Sequence, residues 1–233
     1  MAAAPVHVAG ERLLLDPEGA LFWPREGVLA LADLSLRGTG ARERFHPAPG
    51  RGAGSAGEET IKRLAALLRR WRPRLVLVLG VMPERPGRLP PGLSSRLAAM
   101  ASAHPFVWVY ERAGGPAPLG EDRRKTAEFW ESPPLIFRPR PAQRAAGEIA
   151  GHLRPVSAPA GAPAPARPCF VVDGQRVLLP AFGPEAGGMD AHQPAIQALF
   201  PHGARVFLLG AERLSSFPVV GRPIIGRRAR RWD

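Results

Sequence analysis

The residue best placed for chemistry is Asp33, the carboxylate that ends the apolar run Val28–Ala32, VLALA. Five consecutive apolar residues read as a strand covered on both faces. Asp33 then falls at the carboxyl end of that strand, where open α/β sheets carry their sites. A carboxylate drawn out of water needs a cation, a metal or several amide donors. Capping the following turn through backbone hydrogen bonds would satisfy it equally well. Downstream, Arg37, Arg42, Arg44 and Arg51 lie on a Gly/Pro/Arg-rich loop over 37–57 that leaves the same strand end and meets either a phosphate or solvent. Other chemistries are poorly furnished. The single cysteine, Cys169, excludes an intrachain disulfide and a thiolate zinc cluster, and reads as a small buried hydrophobe. No Ser-His-Asp or Cys-His arrangement is suggested, and glycine motifs of nucleotide-binding form are missing where a strand would meet a helix.

The formal charge of +12 suits polyanionic partners, nucleic acid or phosphorylated ligands. Nearly all of it is arginine, with only Lys62 and Lys125 as lysines, in a chain rich in Ala, Gly and Pro. Such a bias accompanies GC-rich coding sequences and supplies part of the charge without any function. At 233 residues the chain has the length of one large α/β domain, expected over 1–220, followed by a basic, flexible tail over 221–233. The amino terminus lacks the basic region of a signal peptide, and no apolar stretch approaches the roughly 18 residues that a bilayer span requires. The expected location is cytoplasmic, with no membrane partner.

Several elements must position Asp33. Leu13–Leu15 and Ala20–Trp23 read as short strands joined by the turn residues Asp16-Pro17-Glu18-Gly19. Ile61, Leu64, Leu68 and Trp71 share one face of a helix over Glu58–Trp71, with Glu58 and Glu59 near its start suiting the helix dipole. Arg74–Gly80 is a second buried strand, so strand, helix and strand form a crossover that favours parallel pairing. A weaker helix over Leu93–Ala103 leads to a third strand, Phe106–Tyr110. A short helix is expected over Glu121–Trp130. Pro159–Pro168 reads as an extended loop, and Cys169–Val172 and Arg176–Leu179 as a hairpin about Asp173-Gly174. Ala204–Leu209 is a core strand, and Leu214–Val220 an edge strand.

The order of these elements carries a resemblance. Strands ending in ADLSLRG, LGVMPER and VYERAGG are followed by EIAGHLRP, CFVVDGQRVLLPAFGPEAGG and FLLGAERLSSFP. The chain resembles the calcineurin-like metallophosphoesterases, specifically the small bacterial ligase-associated DNA-damage-response endonucleases, in which the first four segments read approximately ADLHLEKG, LGDSFHD, GNHD and GHLHP. The resemblance runs from about Val6 to Pro218. It implies an α/β fold, a metallophosphoesterase-type β-sandwich of two mixed sheets flanked by helices in α/β/β/α layers. Intact members use two divalent, manganese-type cations, which acidify a bound water and neutralise the transition state of phosphoester hydrolysis.

Carried over position by position, the resemblance gives Asp33 as the first metal carboxylate and His152 as the first histidine of the G-H-x-H segment, the catalytic candidates. Ser35 and Val81 stand where a histidine and the bridging aspartate belong. The asparagine–histidine pair falls at Glu111 and Arg112. Arg138 is the polar residue nearest a further expected histidine, and Arg154 replaces the last one. The implied centre is degenerate, with no cofactor or a single weakly held divalent metal on Asp33, His152 and Glu111, and with weak or no catalysis. Glu84, His104 and Glu111 are the candidates for a rebuilt donor set beside Asp33 and His152. Arg112, Arg138 and Arg154 would instead make a phosphate- or nucleic-acid-binding pocket, unless they point to solvent. Expected partners are DNA or a phosphorylated ligand, a DNA ligase or helicase-like repair protein, and a second copy through the edge strand Leu214–Val220.

Overall fold

The computed structural model describes residues 2–34, 36, 53–80, 91–111, 126–158, 165–183 and 188–219. Ser35, Val81, Glu84, Arg112, the arginine loop up to Arg51 and the 221–233 tail lie outside them.

Two mixed sheets face one another. The first has the order β1 (Ala4–Val8), β2 (Glu11–Leu15), β3 (Leu21–Trp23), β4 (Val28–Ala32), β5 (Leu75–Leu79), β6 (Phe106–Val109) and β7 (Thr126–Ala127). β1 to β4 form an antiparallel meander and β4 to β7 run parallel. The parallel half is made by the crossover helices α1 (Ala53–Trp71) and α2 (Pro91–Ala103). The second sheet has the order β15 (Ser215–Val219), β14 (Ala204–Leu208), β12 (Arg167–Val172), β13 (Arg176–Leu178), β10 (Glu148–Ala150), β9 (Leu135–Arg138) and β8 (Trp130–Ser132), with β11 (Val156–Ser157) paired to β12. β10 is parallel to both of its neighbours. A short helix, α3 (Pro194–Gln197), lies outside this sheet, where Ile196 joins Cys169, Val171, Leu178 and Phe200 in an outer cluster. The fold is thus the expected layered α/β sandwich.

Alternation along each strand sorts side chains between layers. In β4 all five residues are buried. Val28, Ala30 and Ala32 enter the core between the sheets, while Leu29 and Leu31 pack with Ile61, Leu64 and Leu68 of α1. Large rings fill the core between the sheets, where Phe137 stacks with Trp23 (centroids 6.2 Å apart) and meets Trp130 edge-on at 5.4 Å. At the carboxyl end of β4 the sheets instead touch through small residues. A Cβ on Gly151 would lie 3.0 Å from that of Ala32, and the Phe182 N–H donates to the Ala32 carbonyl at 2.7 Å. Small side chains let two backbones meet there, and this pinch brings the loop after β10 against the end of β4.

The turn over Asp16–Gly19 does more than reverse the chain. The fully buried Asp16 carboxylate accepts from Arg70 Nη1 at 2.7 Å and Trp71 Nε1 at 2.9 Å, which fastens the end of α1 to the meander. At the outer face of the second sheet, buried Glu148 and Arg176 pair at 2.7 Å. Both also grip Ala142, whose N–H donates to Glu148 Oε1 at 2.9 Å and whose carbonyl accepts from Arg176 Nη2 at 2.6 Å.

Some expectations need correction. α1 begins at Ala53, so Glu58 and Glu59 lie beyond its first turn and do not serve the amino-terminal dipole; Glu58 instead pairs with Arg96 of α2. The helix expected over 121–130 is not found among its described residues. Thr126–Ala127 and Trp130–Ser132 are strands on facing sheet edges, because β6 and β9 offer them open backbone groups that a short polar helix would lack. Arg167 and Pro168, expected in a loop, begin β12 and pair with β11. β1 has no counterpart in the sequence reading, since Val6 and Val8 alone make too short an alternation to separate from a terminus.

Candidate functional site at the end of the central strand

The Asp33 N–H donates to the Leu79 carbonyl at 2.8 Å, so β-type bonding runs one residue past β4 while the chain turns away at φ +47°. Only 1% of the Asp33 side chain is exposed. Room for it comes from Gly80, the residue after β5. A Cβ there would lie 2.2 Å from Asp33 Oδ1, and its φ of +113° suits glycine alone. Among the described residues five non-glycine residues have positive φ, and three of them, Asp33, His152 and Arg154, meet here. Unfavourable backbone of this kind persists where surrounding contacts over-determine it, commonly at functional sites. The contacts are visible. Leu153 N–H donates to the Gly151 carbonyl at 2.9 Å, and its own carbonyl accepts from Met189 N–H at 3.2 Å. Gly188 lies so close that a Cβ would fall 1.7 Å from the Arg154 carbonyl oxygen.

This loop delivers Arg154 to Asp33, with Nε 3.0 Å from Oδ2. Of the partners open to a buried carboxylate, the structure supplies a cation from the chain itself. His152 sits half-buried beside the pair. Burial pushes its pKa below the ordinary imidazole range; Arg140 adds to this, Asp33 opposes it, and Arg154 contributes least. Its ring is therefore biased towards the neutral form.

Glu111, just past β6, is half-exposed and ion-paired with Arg140. Arg140 was not among the residues singled out from sequence. Its one signal is the alternation Arg138-Pro139-Arg140-Pro141, which extends β9 towards the same end of the sandwich. Arg138 goes elsewhere. Its Nε is 3.7 Å from Glu148 Oε1 and its guanidinium lies 5.6 Å from the Phe129 ring centroid. Of Arg138 and Arg154, it is Arg154 that is brought to Asp33. His104 is at the opposite end of the sheet, where its Nδ1 lies 3.1 Å from the Pro73 carbonyl, so it takes no part in a donor set with Asp33. Cys169 is fully buried and its thiol is pushed up to about 12 by burial, with Asp190 adding to the effect. It reads as core.

Two bridged divalent cations require a carboxylate between them and several imidazole or carboxamide donors. Among the described residues no three His, Cys, Asp or Glu side chains gather into such a group. Arg154 occupies an oxygen of Asp33, and Arg140 adds positive charge beside His152. Among the described residues the donor set does not fit a pair of cations.

The layers and the position of Asp33 at the pinched sheet ends define a fold of the metallophosphoesterase type. Over 93% of its length the chain is similar to the crystal structure of the Pseudomonas putida nuclease MPE, with a TM-score of 0.68 and 25% identity, and the match spans all of that chain. No family model matches the sequence, and no curated protein sequence matches it. The chain bears a general, distant resemblance to metallophosphoesterase-type nucleases.

Proposed function

We propose that this protein binds a phosphate group of a nucleic-acid end at the Asp33–Arg154 site, with little or no hydrolytic turnover. The observation that carries the reading is the Arg154 guanidinium, 3.0 Å from Asp33, the residue to which the family resemblance assigns a metal. Guanidinium repels divalent cations and matches phosphate through charge-assisted hydrogen bonds. Arg140 and the overall charge of +12 favour an anion further. The similarity to a nuclease supports nucleic acid as the class of ligand. Resemblance to ligase-associated repair endonucleases adds an expected setting beside a DNA ligase or helicase-like protein.

A 5′-phosphorylated oligonucleotide titrated into the protein is expected to bind more tightly than its 5′-hydroxyl counterpart. Arg154→Gln is expected to remove that difference. Equal binding of both oligonucleotides by the wild type would refute the reading.

A second reading keeps a reduced hydrolytic site, with a single divalent ion on Asp33 and His152. The lowered pKa of His152 favours it, because a neutral imidazole is the ligating form. Metal analysis separates the two. Near-stoichiometric divalent metal, with manganese-dependent phosphodiesterase turnover abolished by Asp33→Ala, would establish the second reading against the first.

A further inference from the structure

An exposed aromatic side chain lies one strand away from this site. Phe129 connects β7 to β8 where the chain passes from one sheet to the other, and it is the one exposed large hydrophobic side chain among the described residues, at 46%. A lone exposed phenylalanine is ordinary on a protein surface. Two features set this one apart. The Arg138 guanidinium lies over its ring, 5.6 Å from the centroid, and is turned in that direction while its Nε stays 3.7 Å from the buried Glu148. The guanidinium thus covers one face of an aromatic ring that is otherwise open to solvent. Furthermore, the backbone places this pair beside the phosphate site. The Arg138 carbonyl accepts from Gly151 N–H at 3.3 Å, and Gly151 leads directly into His152 and Arg154. Two residues beyond Arg138, Arg140 pairs with Glu111 at the same end of the first sheet.

We propose that Phe129 and Arg138 form a stacking platform for an unpaired base, so that the protein takes a single-stranded nucleic-acid end with its phosphate at Arg154 and a neighbouring base on Phe129. The inference rests on the phosphate-site reading and names the part of the ligand that reading leaves open. Bases stack on aromatic rings and on arginine planes with little regard to sequence, and the positive groups beside the ring track the backbone. A duplex keeps its bases stacked within the helix and presents no free face, so a blunt duplex end fits the platform poorly.

Fluorescence anisotropy with a short 5′-phosphorylated single strand tests the inference. Phe129→Ala should weaken binding about fivefold to a hundredfold, the range that loss of one stacked base produces. An abasic residue at the terminal positions of the strand should produce a similar loss in the wild type, and little more in Phe129→Ala. Phe129→Trp should restore binding, which distinguishes stacking from a fold defect, and unchanged thermal melting of the variants would add to that. DNA and RNA strands of the same sequence should both show the effect. Wild-type affinity in Phe129→Ala, or an equal loss on intact and abasic strands, would overturn the platform. Inorganic phosphate, which has no base, reads the Arg154 site alone. If phosphate binding depends on Arg154 while Phe129→Ala has no effect on the strand, the platform falls and the phosphate site stands. If phosphate does not compete with the strand at all, the phosphate-site reading falls first.

Discussion

Asp33→Asn separates an anion site from a metal site because the two respond with opposite sign. The substitution suits the backbone: Asp33 has φ +47°, and asparagine is the residue that adopts such a conformation with least strain after glycine. The amide oxygen can still accept from Arg154 Nε, now 3.0 Å from Oδ2, so the guanidinium keeps its place. What disappears is one negative charge. A phosphate bound to the far side of that guanidinium lies about 5–6 Å from the carboxylate, where two unit charges repel by about 3 kcal/mol at an effective dielectric near 20. Arg154 is about one-third exposed, so water and salt reduce this to roughly 1–1.5 kcal/mol, about tenfold in affinity. Asp33→Asn is therefore expected to bind a 5′-phosphorylated strand about tenfold more tightly, by anisotropy at constant ionic strength. Folding stability should fall by about 1–2 kcal/mol, since a half-buried arginine loses its counter-ion. Weaker binding by Asp33→Asn, with loss of a stoichiometric divalent ion from the wild type, would refute the reasoning.

Gly80→Ala should destabilise the fold by about 1–3 kcal/mol in chemical denaturation, from the +113° φ alone. It should also reduce strand binding, because the new Cβ would fall 2.2 Å from Asp33 Oδ1 and force that carboxylate to move; wild-type stability and binding would show that the close approach is not as described. For His152 the folded state favours the neutral ring, chiefly through burial and then Arg140. The stability this contributes is fully present above the ordinary imidazole value of about 6.5 and is lost as pH falls through the lowered folded value. The loss of stability between pH 7.5 and 5 should therefore be smaller in His152→Asn than in the wild type, and an identical pH profile would count against it.

Much of the scaffold is legible without coordinates. Apolar runs at Val28–Ala32 and Leu75–Leu79, the i, i+3, i+4 pattern of Ile61, Leu64 and Leu68, and the Asp173-Gly174 turn each specify their own element by local preference and burial. The end of β4 is legible too, and with it Asp33 as a carboxylate emerging from a hydrophobic strand. Short edge strands are not. β7 and β8 form because neighbouring strands offer unpaired backbone groups, a cause that lies outside their own residues.

The pairing of Asp33 with Arg154 belonged to the tertiary structure alone. Arg154 is 121 positions away, and the sequence by itself places Arg112, Arg138 and Arg154 on an equal footing. The choice is made where Ala32, Gly151 and Ala181 let the two sheets touch backbone to backbone, which carries the loop after β10 over the end of β4. Arg138 is instead taken up by buried Glu148 on the outer face, and Arg140 reaches Glu111 and the neighbourhood of His152. Residue type determined that a buried carboxylate here needs a cation, a metal or amide donors; the packing of the two sheets brought Arg154 to it, because that depends on side-chain volumes far apart in the chain.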